Sequence, residues 1–323
     1  MIGLLHLDVL AMFLTIWHVI ASIMFGVISD ILIIMSISLY RQGFSQDVPS
    51  TISAAFVLLV LCVMFVLSPP LPEALTGTLL AWCALVIIYY VICFRRSSKR
   101  EKMSNPTPAV TPLTRHLLRK SFHILVLVIP FVYIYLGGYI FKLLEMIGIP
   151  QEIIGEIGLD PGRFFSTLVM SCAFVFISIS ETVRVFAKKY YPFTEISQIT
   201  LKPEERRTIA HHFHFSLGVF LVLTLLQGHI ALATIMMASF GDAAASLAGL
   251  TIGRHRIQDK SVEGFVAGSA VSFLIGLPFV SILLCMIGSF VELIIDIASL
   301  PISDNLLNPV LIGATMTMTA LLL

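Results

Sequence analysis

Apolar runs of roughly 20 residues, the length that crosses a bilayer, recur along the whole chain. They lie at 9–29 (with an apolar tail to Tyr40), 51–67, 74–94, 121–144, 165–187, 209–227 and 230–250. Residues 264–300 are too long for one span and read as a hairpin of two, turning between Pro278 and Gly288. A loop with Pro301, Asp304, Asn305 and Pro309 precedes a last run, 310–323. The pattern predicts an all-α polytopic transmembrane bundle of about ten spans, since only helices satisfy their own backbone in lipid. Three regions follow: N-terminal spans (1–94), a basic linker (95–120) and a second membrane domain (121–323) that holds the candidate chemistry. No internal repeat is visible.

Composition strengthens this picture. Of 323 residues, 58% are hydrophobic and 12% charged, half the roughly 25% charge of a soluble domain. That excludes a soluble monomer. A net charge of +1 supplies no field for nucleic acid, so no such partner is expected. Cys62, Cys83, Cys93, Cys172 and Cys285 all lie in apolar runs and form no C-x-x-C pair. They read as small buried hydrophobes, not as a zinc site or a disulfide framework. The segment Met1–Asp8 lacks the basic region of a signal peptide, so the first span is expected to be retained.

Lys and Arg gather on the cytoplasmic side of membrane proteins. Segment 95–120 carries eight, 188–207 five and 251–263 three, sixteen of the twenty in the chain. Two spans separate each basic segment from the next. All three are therefore expected on the cytoplasmic face, with the Asp304–Asn305 loop returning there. The run Arg95–Lys102 reads as a juxtamembrane segment attracted to anionic lipid, and Asn105–Pro112 as a disordered linker.

The most informative stretch is 239–264. Asp242 sits inside an apolar helix, where a carboxylate costs roughly 2.5–3.5 kcal/mol on insertion scales. Asp242, Ser246 and Gly249 share one helical face. Gly249 and Gly253 bracket the helix end, Arg254, Arg256 and Lys260 follow, and Ser261 can N-cap the next helix ahead of Glu263 and Gly264. An acid for Mg²⁺, glycines for close approach, cations and a helix N-terminus together suit a nucleotide polyphosphate. The bland alternative is small-residue packing (Gly249-x-x-x-Gly253, Gly264-x-x-x-Gly268) with basic interface anchors. It explains neither Asp242 nor the Lys260-Ser261-x-Glu263-Gly264 cluster. No Walker A loop is present, because Asp259 precedes Lys260-Ser261.

Gly241-Asp242-x-x-Ala-x-x-x-Gly249-x-x-x-Gly253, followed by Lys260-Ser261-x-Glu263-Gly264, resembles the CTP-dependent lipid-alcohol kinases: dolichol kinase, phytol kinase and the CTP-dependent diacylglycerol kinase. Arg119-Lys120-x-x-His123, Glu181-x-x-Arg184 and Ser303-Asp304-Asn305-Leu306-x-x-Pro309 add to the resemblance, which covers about 115–323. It implies an integral membrane enzyme of the cell membrane or endoplasmic reticulum that transfers the γ-phosphoryl group of CTP to a lipid alcohol, giving lipid monophosphate and CDP. A polyprenol or dolichol is the first-choice acceptor, then diacylglycerol, then phytol. On this reading Asp242, Asp304 and Glu263 hold Mg²⁺. Lys260, Arg119 and Lys120 neutralise phosphates, with Gly249, Gly253, Arg254, Ser261 and Gly264 around them. Asn305 orients a phosphate or the base. The general base is open between Asp242, Asp304 and His123.

Other readings stay open at the level of sequence. Arg119, Lys120 and His123 suit a phosphate or positive-inside anchors. Glu181 and Arg184, at i and i+3, can simply pair. Glu292 and Asp296, at i and i+4 in an apolar run, suit the substrate entrance or a position near the outer face, and receive no catalytic role. The stretch Arg206–His214 departs from the family's Glu and Thr-Gly pattern; His211 and His214 there form an interfacial cluster more readily than a metal pair. A cytidylyltransferase making a CDP-lipid is the nearest rival, although its Ser-Pro and Lys-Lys-Thr elements are absent. An ion-coupled transporter using Asp242, Glu181 and Glu292 is a second rival, and it would call for inverted repeats.

Overall fold

A computed structural model describes residues 26, 29–30, 32–37, 40–41, 48–67, 73–97, 111, 114, 118–121, 123, 125–148, 160–201, 204–206, 208–257, 260–298 and 300–323. These residues are mostly helical. The helices are α1 (Val48–Leu67), α2 (Glu73–Ser97), α3 (a continuous helical run, 125–146), α4 (Pro161–Phe186), α5 (Thr194–Thr200) and α6 (His211–Leu225). After them come α7 (Gly228–Thr251), a two-stranded antiparallel hairpin of β1 (Arg256–Ile257) and β2 (Lys260–Ser261), α8 (Val262–Gly276), α9 (Ile282–Ala298) and α10 (Asp304–Leu322).

Among the described residues four helices are long and apolar enough to cross a membrane: Leu118–Leu143, Pro161–Phe186, Gly228–Thr251 and Asp304–Leu322. Shorter apolar helices lie at Ala81–Arg95, His211–Leu225 and Val262–Gly276. The count of about ten spans is therefore met only in part. Most of the run 9–29 and most of the linker 95–120 lie outside the described residues.

The 264–300 run is a hairpin of two helices as expected, turning at 277–281, and Gly288 falls inside α9 against Met237, Ile312 and Met316. Two boundaries differ from expectation. The last helix starts at Asp304 and carries Pro309 within it. Proline there withholds an N–H from the Asn305 carbonyl. The pyrrolidine ring is accommodated because Gly218 of α6 faces it; a Cβ at 218 would come within 2.5 Å of Pro309 Cγ. The polar segment 188–207, expected as a linker, folds into short 3₁₀ turns around α5.

α3 is irregular: a 3₁₀ turn, a short α-helical piece with Pro130, a π turn (Val132–Leu136) and a regular end. Proline removes a helix donor and crowds the preceding turn. α4 begins cleanly, with Asp160 capping the Arg163 N–H (3.0 Å) and Pro161 in the first turn. The Arg163 guanidinium donates to the Leu226 carbonyl (2.8 Å), tying the start of α4 to the end of α6.

The core is apolar side chains at these crossings. Phe174, Phe213 and Phe220 are fully buried between α4 and α6, with Phe174 stacked on Phe220 at 5.0 Å. α7 packs most extensively on α8, while α10 contacts α6, α7 and α9. The end of α4, the starts of α6, α8 and α10, the end of α7 and the segment before α3 gather at one end of the bundle, as the contacts below establish.

Candidate functional site

Asp242 lies nine residues before the end of α7, roughly 13 Å along the axis at 1.5 Å per residue. Its side chain is 22% exposed. Lys120, 122 positions earlier, donates to Asp242 Oδ2, and His123 Nδ1 lies 3.3 Å from the same oxygen. The His123 ring stacks on Phe215 of α6 (4.3 Å, 7°), which fixes its plane. A carboxylate inside an apolar helix needs such partners, because an unpaired buried charge costs several kcal/mol.

Lys260, on β2, donates to Asp296 Oδ1 of α9 (2.7 Å) and to Asp304 Oδ2 of α10 (3.1 Å). Burial works against its ammonium, but the carboxylates of Asp304 and Asp296 outweigh it and hold the pKa above the ordinary lysine value. Asp304 also accepts from the Asn305 backbone N–H through Oδ1 (3.0 Å). Ser261 caps α8, its Oγ accepting from the Gly264 N–H (3.1 Å).

A cleft of about 320 Å³ opens between these elements, lined by Asp242, Ser246, Gly249, Arg256, Lys260 and Ser261 among others. Next to it a smaller basic pocket is lined by Arg119, Lys120, His123, His211, His212 and Asn305. Lys120 links the two, since it lines the pocket and bonds Asp242 of the cleft wall. The sequence motifs before α3, on α7, on the hairpin and at the start of α10 thus converge within one polar region.

Some expected site residues serve other ends. Glu263 accepts from the backbone N–H groups of Arg254 (3.1 Å) and His255 (3.3 Å) and from the His255 ring (2.7 Å). It braces the turn between α7 and the hairpin. Gly253 lies against Ser261 and the Gly249 carbonyl; Gly264 lies against the Ala245 carbonyl, which a Cβ would approach to 2.7 Å. Small residues there let α7 and α8 touch along their backbones, although Gly249 and Gly264 also line the cleft. Arg254 is exposed, and Arg256 lines the cleft in its place.

The residues also test the implied metal. Among those described, no group of three His, Cys, Asp or Glu is arranged to hold an ion by itself. Mg²⁺ usually takes one or two carboxylates together with waters and substrate phosphates. Asp242 and Asp304, each facing a lysine beside the cleft, fit that donor set. Glu263 does not, because its oxygens are committed to the turn.

Other participants had weaker sequence signals. Asp296 anchors Lys260. Glu292 is 1% exposed and packs its carboxyl against Gly241, filling the space that a side chain at 241 would need. Glu181 accepts from Arg184 Nε (2.8 Å) and Nη2 (2.7 Å), one edge of the guanidinium, and from the Ala210 N–H (3.0 Å). Arg184 also donates to the carbonyls of Glu205, Arg206 and Thr208, folding the 188–207 segment onto α4. Glu205 meets Arg119 (3.2 Å) and His211 Nε2 (3.0 Å). His211 and His214 form no metal pair, since His211 is taken up by Glu205 and Ser303 and His214 is buried in α6. In this group the sequence signals are the Glu181–Arg184 spacing and the Glu292–Asp296 pair in an apolar run; Glu205 carries none.

No protein-family model matches the chain, and no curated protein or solved structure matches it either.

Proposed function

We propose that the chain is a membrane-embedded lipid-alcohol kinase, transferring the γ-phosphoryl group of CTP to the hydroxyl of a polyprenol-type alcohol and releasing CDP. The observation that carries this reading is the meeting of Lys120 and Asp242, together with that of Lys260 and Asp304, in one polar region at the end of an apolar bundle. Residues from four separate motifs of the kinase resemblance supply those contacts.

Phosphoryl transfer depends chiefly on positioning and electrostatics. Lys120, Lys260 and Arg256 offer positive charge to phosphate oxygens. The carboxylates that pair with the two lysines hold them in place beside the cleft. The N-terminus of α8, capped by Ser261, adds backbone dipole at the cleft wall. Asp242 and Asp304 would hold Mg²⁺, which supplies Lewis-acid neutralisation of the β- and γ-phosphates. Sixteen of the twenty Lys/Arg lie in the three basic segments, which supports a cytoplasmic face for this end of the bundle. The cleft's cations read phosphate and the cytosine base is assigned from the resemblance, so the assay sets CTP against ATP.

The test is turnover by purified protein with γ-labelled CTP or ATP and a panel of lipid alcohols. Labelled lipid with CDP is the expected result. Pyrophosphate release would replace the reading with cytidylyl transfer, and no turnover with any donor and acceptor would overturn it.

A further inference from the structure

An apolar cavity of about 350 Å³ lies between α3, α4, α5 and α6, outside the Asp242 cleft. Val126 and Ile129 from α3, Met170, Phe176 and Ile177 from α4, and Phe215 from α6 form its walls. At one end the lining turns polar, with Arg184 and His212. Arg184 is spent on Glu181 and on three backbone carbonyls. His212 Nε2 is held 3.2 Å from Glu181 Oε1. Thr200, Leu201 and His212 line both this cavity and the basic pocket that contains Lys120. At the other side Leu125, Val128, Val169 and Ile196 line the cavity and are themselves exposed, so it opens sideways onto apolar surface.

We propose that this cavity seats the hydrocarbon chain of a single-chain lipid alcohol, with the hydroxyl end at His212. The inference rests on the lipid-kinase reading above and adds where the acceptor's chain binds. Walls of Val, Ile, Met and Phe offer nothing to a nucleotide or a sugar. They do offer a path for a chain: the hydroxyls of Ser180, Ser197, Thr200 and Ser216 that also line it are bonded to Tyr90 or to carbonyls of their own helices, and His212, at the border with the basic pocket, is where a ligand's one polar terminus would lie. The volume stands at the low end of the roughly 300–1,000 Å³ of small-molecule sites, so the cavity takes the hydroxyl-proximal part of one chain and the rest leaves through the sideways opening. Glu181, fixed by Arg184 and the Ala210 N–H, holds the His212 ring at the junction. A hydroxyl placed there faces the pocket in which Lys120 reaches Asp242, so donor and acceptor enter the polar region from different sides.

The experiment is photolabelling of the full-length protein in phosphatidylcholine nanodiscs with a diazirine-bearing prenyl alcohol, mapped by mass spectrometry. Labels are expected on the α4 and α6 residues of the cavity wall and should fall at least tenfold with excess unlabelled prenol. A prenyl hydrocarbon without the hydroxyl should compete at least tenfold less well. Ala173→Trp, which fills the cavity from α4, should abolish these labels, and His212→Leu should reduce alcohol labelling to the level of the hydrocarbon. The competition arms need only wild-type protein, so a variant that fails to fold does not block the test. Labels spread evenly over lipid-facing residues and insensitive to prenol would overturn the proposal. Equal protection by diacylglycerol would overturn the single-chain assignment. Transfer without cavity labelling would remove this inference alone, whereas cavity labelling without transfer would remove the kinase reading alone.

Discussion

Lys260 on the hairpin and Asp296 on α9 meet at 2.7 Å across 36 positions of sequence, and the same ammonium reaches Asp304 on α10 at 3.1 Å. One side chain therefore joins the hairpin to two helices and stands at the wall of the polar cleft. If it also neutralises donor phosphate, Lys260→Ala should raise the nucleotide KM or lower kcat by about 1.5–3 kcal/mol, the worth of a charged hydrogen bond. Lipid dependence should barely change. Steady-state kinetics with each substrate varied in turn checks this; unchanged nucleotide kinetics would leave Lys260 a purely structural brace.

The same lysine sets a pH dependence. Its pKa in the folded protein is raised by Asp304 and Asp296. A group so shifted contributes its stability in full below its unfolded-state pKa and loses it only as pH rises through the higher folded value. Melting temperatures of wild type and Lys260→Met in detergent should therefore stay a constant distance apart from pH 7 to about 10. Curves that converge below pH 9 would mean that the ammonium is lost early and that the carboxylates do not hold it.

Arg184 gives a stability prediction. It and Glu181 are each about 4% exposed, and the guanidinium serves a carboxylate and three carbonyls at once. Removing one partner of a buried pair costs about 3–5 kcal/mol, so Arg184→Ala should lose most folded protein in fluorescence-detected size exclusion. Arg184→Lys should rescue little, because an ammonium lacks the planar fork. Wild-type elution of the alanine variant would contradict the anchoring role.

The α7–α8 crossing predicts a contrast between two glycines. A Cβ at Gly264 would come within 2.7 Å of the Ala245 carbonyl, whereas one at Gly138 meets nothing within 4 Å. Gly264→Ala should destabilise by about 1–3 kcal/mol, and Gly138→Ala should be neutral or slightly stabilising. Thermal melts in detergent distinguish the two, and equal melts would contradict the close approach.

Much of this arrangement is legible in the sequence, for definable reasons. Bilayer thickness imposes a length on apolar runs, so α4 and α7 appear nearly where the hydropathy places them. Asp242 and Lys260 stand out because charge in or beside an apolar helix is costly. Asp296 stands out in the same way, but its role does not, because that depends on which way α9 faces and on a lysine 36 positions away. The start of α10 is hidden by Pro309, which reads as a breaker until Gly218 is seen opposite it. Segment 188–207 reads as a polar linker because its order comes from Arg184, outside the segment. Gly253 and Glu263 carry a motif that reads as ligand-binding, but local sequence cannot separate a phosphate contact from backbone packing or a braced turn.

The most direct measurement is phosphoryl transfer by Asp242→Asn, compared with wild type at equal folded concentration. The substitution keeps the shape and removes the charge that Lys120 and His123 face. A site centred on Asp242 predicts normal insertion and elution, with turnover reduced by two orders of magnitude or more, the roughly 3 kcal/mol of a lost electrostatic transition-state contact. A well-folded Asp242→Asn protein with wild-type turnover would contradict the account.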